Sequence, residues 1–186
     1  MKSAIKLLIC FLCITSFAYA RVDVHTYTKD VDVLAVWINP KKVKVFIEEA
    51  PKSHILRNAV KIWDDSLRSD LNFVFVKNKN EADITIKYVE QLGENRMGVT
   101  QSSHIEIQGR IYLHKAHVSI SRKDPIGFIN NDAELLKTTL HELGHAIGIL
   151  GHSSSMYDIM YYSSASTKNT SPSLKDIETV KKMYGF

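Results

Sequence analysis

His141, Glu142 and His145 fall within five consecutive residues. If that run is helical, the two histidines lie one above the other on the same face, with Cα atoms about 6 Å apart along the axis. Two imidazoles so placed can converge on one metal ion at about 2.0 to 2.1 Å from each nitrogen. Glu142 begins the next step round the helix, where its carboxylate is placed to take a proton from water at the metal rather than to bind the metal itself. The arrangement is hydrolytic. The residues beyond it point the same way: Gly148 stands three residues after His145, where a helix can end on a left-handed glycine and reverse, and His152 comes next after a further glycine, Gly151. Met160 lies eight residues beyond His152. The apolar residues Leu140, Leu143, Ile147 and Leu150 account for a helix but not for its histidines.

With these residues the chain resembles the metzincin clan of zinc endopeptidases, and within it the matrixin group that includes the matrix metalloproteinase catalytic domains. The resemblance extends in outline from about Val43 to the closing Met183-Tyr184-Gly185. It implies that His141, His145 and His152 are ligands of one catalytic zinc ion, that Glu142 is the general base, and that Met160 is the methionine of the turn beneath the metal. It also implies an extended protein or peptide substrate lying along a sheet edge, with the residue after the cleaved bond entering a pocket walled by the segment beyond Met160. There is one departure. The family motif places its third histidine three residues after the glycine, whereas Gly148 and His152 are four apart. One residue adds at most about 3.3 to 3.6 Å of reach, and Gly151 is the expected place for the slack to be absorbed, through positive φ. The alternative is that His152 is not the third ligand and that Asp158 or a solvent molecule takes its place.

Asp158 is otherwise a turn-forming residue. Tyr162 stands two residues after Met160, where the astacin and serralysin branches of the clan carry a tyrosine that can approach zinc; packing or lining of the substrate pocket is its other reading. His104, His114 and His117 invite comparison with a second, structural zinc site, but residues 114 and 117 of a regular strand point to opposite faces. Hydrogen-bonded or surface histidines are the expectation there.

The elements needed to position this chemistry form an α+β layout: a metzincin-like single domain in which a mixed, twisted sheet carries an active-site helix, a packing helix and a C-terminal helix. Val43, Val45 and Ile47 alternate with Lys42, Lys44 and Glu48, as in a half-buried strand. Leu56, Ala59, Val60, Trp63 and Leu67 have the spacing of a helix face. Phe73 and Phe75, then Ile84 and Ile86, mark two further strands. The rest of the sheet falls between Met97 and Ser121, with Val118 and Ile120 in its last strand. Asn131 with Glu134, and Ser173 with Asp176, are cap signals for the helix bearing His141 and for the final helix.

A chain of 186 residues is long enough for one domain with a real core. Residues 1–20 read as a secretory signal peptide: Lys2 and Lys6, an apolar run from Leu7 to Phe17, then Ala18-Tyr19-Ala20 as the cleavage site. That apolar run is too short to span a bilayer, which needs about 20 residues. The expectation is a catalytic domain at 21–186 that is secreted or periplasmic, monomeric, and not inserted in a membrane. Cys10 and Cys13, the 2 cysteines, both lie inside the leader. The mature chain then has no disulfide and no thiolate to act as the latency switch associated with matrix metalloproteinases. Loss of Lys2 and Lys6 lowers the formal charge from +4 to +2, which gives no reason to expect a nucleic-acid partner. Two rival functions share these ligands: a zinc-stabilised binding protein without turnover, and a zinc hydrolase of a non-peptide bond. The glutamate speaks against the first, because a structural zinc needs no base beside it.

Overall fold

The computed structural model describes residues 35–68 and 70–186; the expected signal peptide at 1–20 lies outside them. Among the described residues, six strands, β1 (Val36–Trp37), β2 (Val43–Ile47), β3 (Phe73–Phe75), β4 (Ile84–Val89), β5 (Gly98–Ile107) and β6 (Arg110–Ser121), and three α-helices, α1 (Ser53–Leu67), α2 (Asp132–Ala146) and α3 (Leu174–Tyr184), follow in the order β1-β2-α1-β3-β4-β5-β6-α2-α3. The sheet order is β1-β6-β4-β2-β3, all parallel, with β5 running antiparallel to β6 along its other side. This is the expected mixed sheet with a packing helix, a site helix and a C-terminal helix. The short strand β1 has no counterpart in the sequence reading, since two residues show no periodicity.

Strand alternation decides which face the helices cover. Val43, Val45 and Ile47 of β2, Ile84 and Ile86 of β4, and Ala116, Val118 and Ile120 of β6 are buried in one core with Leu56, Val60 and Trp63 of α1 and Leu140 and Leu143 of α2. In β6 the alternation slips. A bulge opposite Ser103 and His104 skips a residue, so Leu113 and Ala116 both face the core. His114 and His117 are therefore both exposed, which corrects the expectation that they point to opposite faces.

Two tryptophans and a tyrosine fix the site helix to this frame. Trp63 Nε1 donates to the Leu140 carbonyl (2.9 Å), tying α1 to α2 one residue before His141. The carbonyls freed where α2 ends are taken up in turn, Ala146 by Trp37 Nε1 (3.2 Å) and Ile147 by the Tyr184 hydroxyl (2.9 Å). At its start α2 carries the expected capping box, Asn131 accepting from the Glu134 N–H and Glu134 from the Asn131 N–H. The reciprocal pair Ser173 and Asp176 opens α3 in the same way. Both ends of the helix bearing His141 are thus held by named contacts.

Candidate metal centre

His141 and His145 project from the last turns of α2, and His152 comes back to them from the loop beyond. The Nε2 atoms of His141 and His152 each lie 3.2 Å from His145 Nε2. The other ring nitrogens are engaged: His141 Nδ1 lies 2.9 Å from the Ile159 carbonyl and His145 Nδ1 lies 2.6 Å from the Ile149 carbonyl. A carbonyl only accepts, so both Nδ1 atoms carry the proton and both Nε2 atoms present lone pairs. The His141 and His145 lone pairs, aimed at one another across 3.2 Å, repel unless a cation stands between them, and His152 Nε2 lies at the same distance from His145 Nε2. Tetrahedral nitrogens about 2.0 to 2.1 Å from zinc are about 3.3 to 3.4 Å apart, so the donor set fits that ion. The cluster is consistent with a single catalytic zinc.

The turn after α2 answers the question of spacing differently from the sequence reading. Positive φ falls on Gly148 (φ 108), where the helix reverses, and Gly151 is not among the residues with positive φ. A Cβ at Gly148 would overlap the Ala35 carbonyl oxygen, so backbone conformation and space both require glycine there. The slack is taken up by Ile149 and Leu150: Ile149 is buried and turns its carbonyl to His145, while Leu150 is 43% exposed. The extra residue leaves the turn as an outward bend.

Beneath the histidines lies the segment 158–161. Met160 is fully buried, its sulfur lying so close over Gly144 that a side chain there would overlap it. Asp176 of α3 accepts from the backbone N–H groups of Ile159 (2.9 Å) and Met160 (3.4 Å), and Ser153 N–H donates to the Met160 carbonyl (2.7 Å). Since the Ile159 carbonyl in turn holds His141, the α3 cap orients a ring 35 residues away. Asp158 is not in the histidine cluster; it is buried and accepts from the Ser153 hydroxyl (2.5 Å), bracing the same turn. Tyr162 is 67% exposed at the cleft wall, its ring 4.3 Å from that of Tyr161. Among the described residues the three histidines are the only gathered set of three or more such ligands. His104, His114 and His117 are not brought together, and His117 Nδ1 bonds the Thr85 hydroxyl (2.7 Å).

Glu142 is 6% exposed and faces β5. The Thr100 hydroxyl reaches its carboxylate Oε2 (2.7 Å) and its backbone carbonyl (2.9 Å). Gly98, two residues earlier on the same strand face, lets the carboxylate fit, because a Cβ there would come 2.5 Å from Glu142 Cγ. Burial raises the Glu142 pKa to about 7, against the opposing Thr100 hydrogen bond and the Arg96 charge. Neither Thr100 nor Gly98 is marked by local sequence pattern. Both matter through contacts with Glu142, 42 residues along the chain from Thr100 and 44 from Gly98. These residues line a cavity of about 470 Å³ together with Pro125, Tyr162 and Ser163, and the outer edge of β5 pairs with no strand among the described residues.

The imidazoles have a consequence for stability. Burial lowers the pKa of His141 from 6.5 to about 3 and that of His145 to about 4; it lowers His152 as well. An unfolded chain therefore binds more protons at these histidines below pH 6.5, and stability is lost as pH falls. Glu142 opposes this between pH 4.5 and about 7, where the folded state binds the extra proton, but it is one group against three. Chelator-treated protein should become easier to unfold from about pH 6.5 down towards about 4. Urea midpoints at about pH 7 and about pH 5 check this, and an equal or higher midpoint at the lower pH would contradict it.

The matrixin family model matches residues 28–185 of the chain. No curated protein matches it. Among solved structures, one of myroilysin is 17% identical with a TM-score of 0.49, covering 82% of this chain and 96% of that one. A crystal structure of myroilysin is 15% identical with a TM-score of 0.48, covering 87% of this chain and 95% of that one. Likenesses of that size carry no assignment of function.

Proposed function

The chain belongs to the matrixin family of zinc-dependent endopeptidases, and from that premise we propose that His141, His145 and His152 hold its zinc and that Glu142 is its general base. The observation that carries this reading is the convergence of three imidazole Nε2 atoms, two of them 3.2 Å from that of His145, beside a buried carboxylate that is not one of the set. Zinc bound there supplies a Lewis acid that polarises a scissile carbonyl and acidifies water. Glu142 then accepts a proton as the water attacks and returns it to the leaving amine. Thr100 and Gly98 keep the carboxylate turned towards the cleft.

The substrate is an extended protein segment that adds to the free edge of β5, where unpaired backbone groups accept a further strand. Tyr162 lines this cleft as a wall of the substrate site. Export to the periplasm or the exterior is supported by the leader-like residues 1–20 and by a family match that begins at residue 28. No helix among the described residues is long and apolar enough to cross a membrane.

Purified protein should cleave denatured casein, lose that activity to a chelator, and regain it with one equivalent of zinc. Zinc bound at one per chain without cleavage of casein or of a peptide library would assign the fold to a zinc-stabilised binding protein. Turnover confined to non-peptide esters would assign it to another hydrolase class.

A further inference from the structure

Between β6 and α2 the chain exposes three large apolar side chains, Ile126 (80%), Phe128 (70%) and Ile129 (76%). Such side chains usually mark a mobile tip, but this loop is fastened throughout. Asp124 Oδ1 accepts from the N–H groups of Ile126 (3.0 Å) and Phe128 (2.8 Å), and the Asp124 N–H donates to the Phe128 carbonyl (2.8 Å). Gly127 supplies the positive φ (96) of the reversal, and Lys123 bridges Ile129 in antiparallel fashion. Gln91 Nε2 bonds the carbonyls of Asp124 (3.0 Å) and Pro125 (3.2 Å) from the end of β4, and the buried Asn130 Nδ2 donates to the Ser121 carbonyl. The apolar side chains are thus displayed on a preorganised ridge, which costs little further ordering on binding.

Pro125 of this ridge lines the same cavity as His141, Glu142 and His145, so the ridge continues the catalytic cleft outward. The cations around it already have acidic partners: Lys123 with Glu90 (2.6 Å), Lys52 with Asp132 (2.8 Å), and Arg96 with Glu94. Arg122 lies over the Tyr88 ring and bonds the Pro51 carbonyl. A surface that docks on anionic lipid carries free basic residues around its apolar tip, and these are spoken for. The continuity with the cleft and the neutral surround together favour an unfolded polypeptide.

We propose that residues 123–129 form a docking ridge that grips apolar side chains of a protein substrate beyond the segment held at the catalytic centre. The inference rests on the endopeptidase reading above and adds a selection rule: unfolded chains with apolar residues flanking the cleaved bond are preferred to short peptides. Burying even part of an Ile or Phe side chain contributes enough to change affinity by about tenfold.

The test compares wild type with the Ile126→Ser, Phe128→Ser, Ile129→Ser triple variant, at positions too exposed to unfold the domain. On denatured casein the variant should show KM raised about tenfold with kcat kept, while a short fluorogenic peptide that fills only the cleft should be cleaved within about twofold of wild type. An unchanged casein KM would overturn the proposal. So would equal losses on casein and on the peptide, which would place the effect in the cleft itself. The same comparison by casein binding, made in zinc-loaded Glu142→Ala protein, gives a readout that survives even if no proteolysis is found: about tenfold weaker binding is expected, and equal binding would overturn the ridge independently of the enzyme assignment. Cosedimentation with phosphatidylcholine vesicles, or a concentration-dependent dimer, lost in the triple variant with casein KM unchanged would assign the surface to a membrane or to a second copy instead.

Discussion

Glu142→Ala should leave zinc bound at one per chain and lower casein turnover by about 10² to 10⁴-fold or more, the usual contribution of a positioned general base. The two halves separate because Glu142 is outside the gathered ligand set. Truncation removes the proton acceptor and leaves the three imidazoles in place, with the carbonyl partners of His145 and His141 at Ile149 and Ile159. Metal analysis of the purified variant and steady-state hydrolysis of labelled casein measure the two quantities. Unchanged turnover would remove Glu142 from the mechanism, whereas loss of zinc along with activity would make it part of the metal-holding structure. Thr100 supplies a graded companion. Thr100→Val removes the hydroxyl that holds the carboxylate at 2.7 Å and should lower kcat with little change in KM, while Thr100→Ser keeps the hydroxyl and should restore it.

Legibility in the sequence divides along the range of the contacts involved. The site helix was legible because its signals are local: the two ends of a capping box are three residues apart, and His141 and His145 are about one turn apart. The same holds for the Trp63 helix and for the alternation in β2. Thr100 and Gly98 were not legible as site residues, because what gives them a role is the approach of β5 to α2 across the fold. The faces of His114 and His117 were misjudged because strand period is constant only until a bulge intervenes, and no residue type announces this one. The ridge at 123–129 left a faint trace in Pro125 and Gly127 flanking apolar residues, which reads equally well as a buried turn. Only exposure separates the two.

The turn after the site helix shows the same limit most sharply, and it carries the second large effect. Local pattern marked Gly148 as the left-handed end of the helix, which holds, and Gly151 as the place for the slack, which does not: positive φ falls on Gly148 alone of the two, and the carbonyl of Ala35, over a hundred residues away, leaves no room there for a Cβ. Because the extra residue is accommodated by a buried Ile149 and an outward Leu150, His152 still brings Nε2 to 3.2 Å from His145 Nε2. His152→Ala should therefore weaken zinc affinity by more than about 100-fold, beyond the usual cost of losing an outer partner, and take activity with it. Competition with a chromogenic chelator measures the affinity. Deleting Leu150, which restores the family interval, should be tolerated for metal binding, since Gly148 and the Ile149 carbonyl that holds His145 both remain. The glycines should also part company: Gly148→Ala forces a Cβ into the Ala35 carbonyl at positive φ and should lower the melting temperature and the zinc affinity together, while Gly151→Ala meets no positive-φ penalty. Full zinc affinity and near-normal turnover in His152→Ala would mean that two histidines and solvent suffice. Asp158 would not be the replacement, because its carboxylate is turned into the Ser153 hydroxyl and away from the histidine cluster.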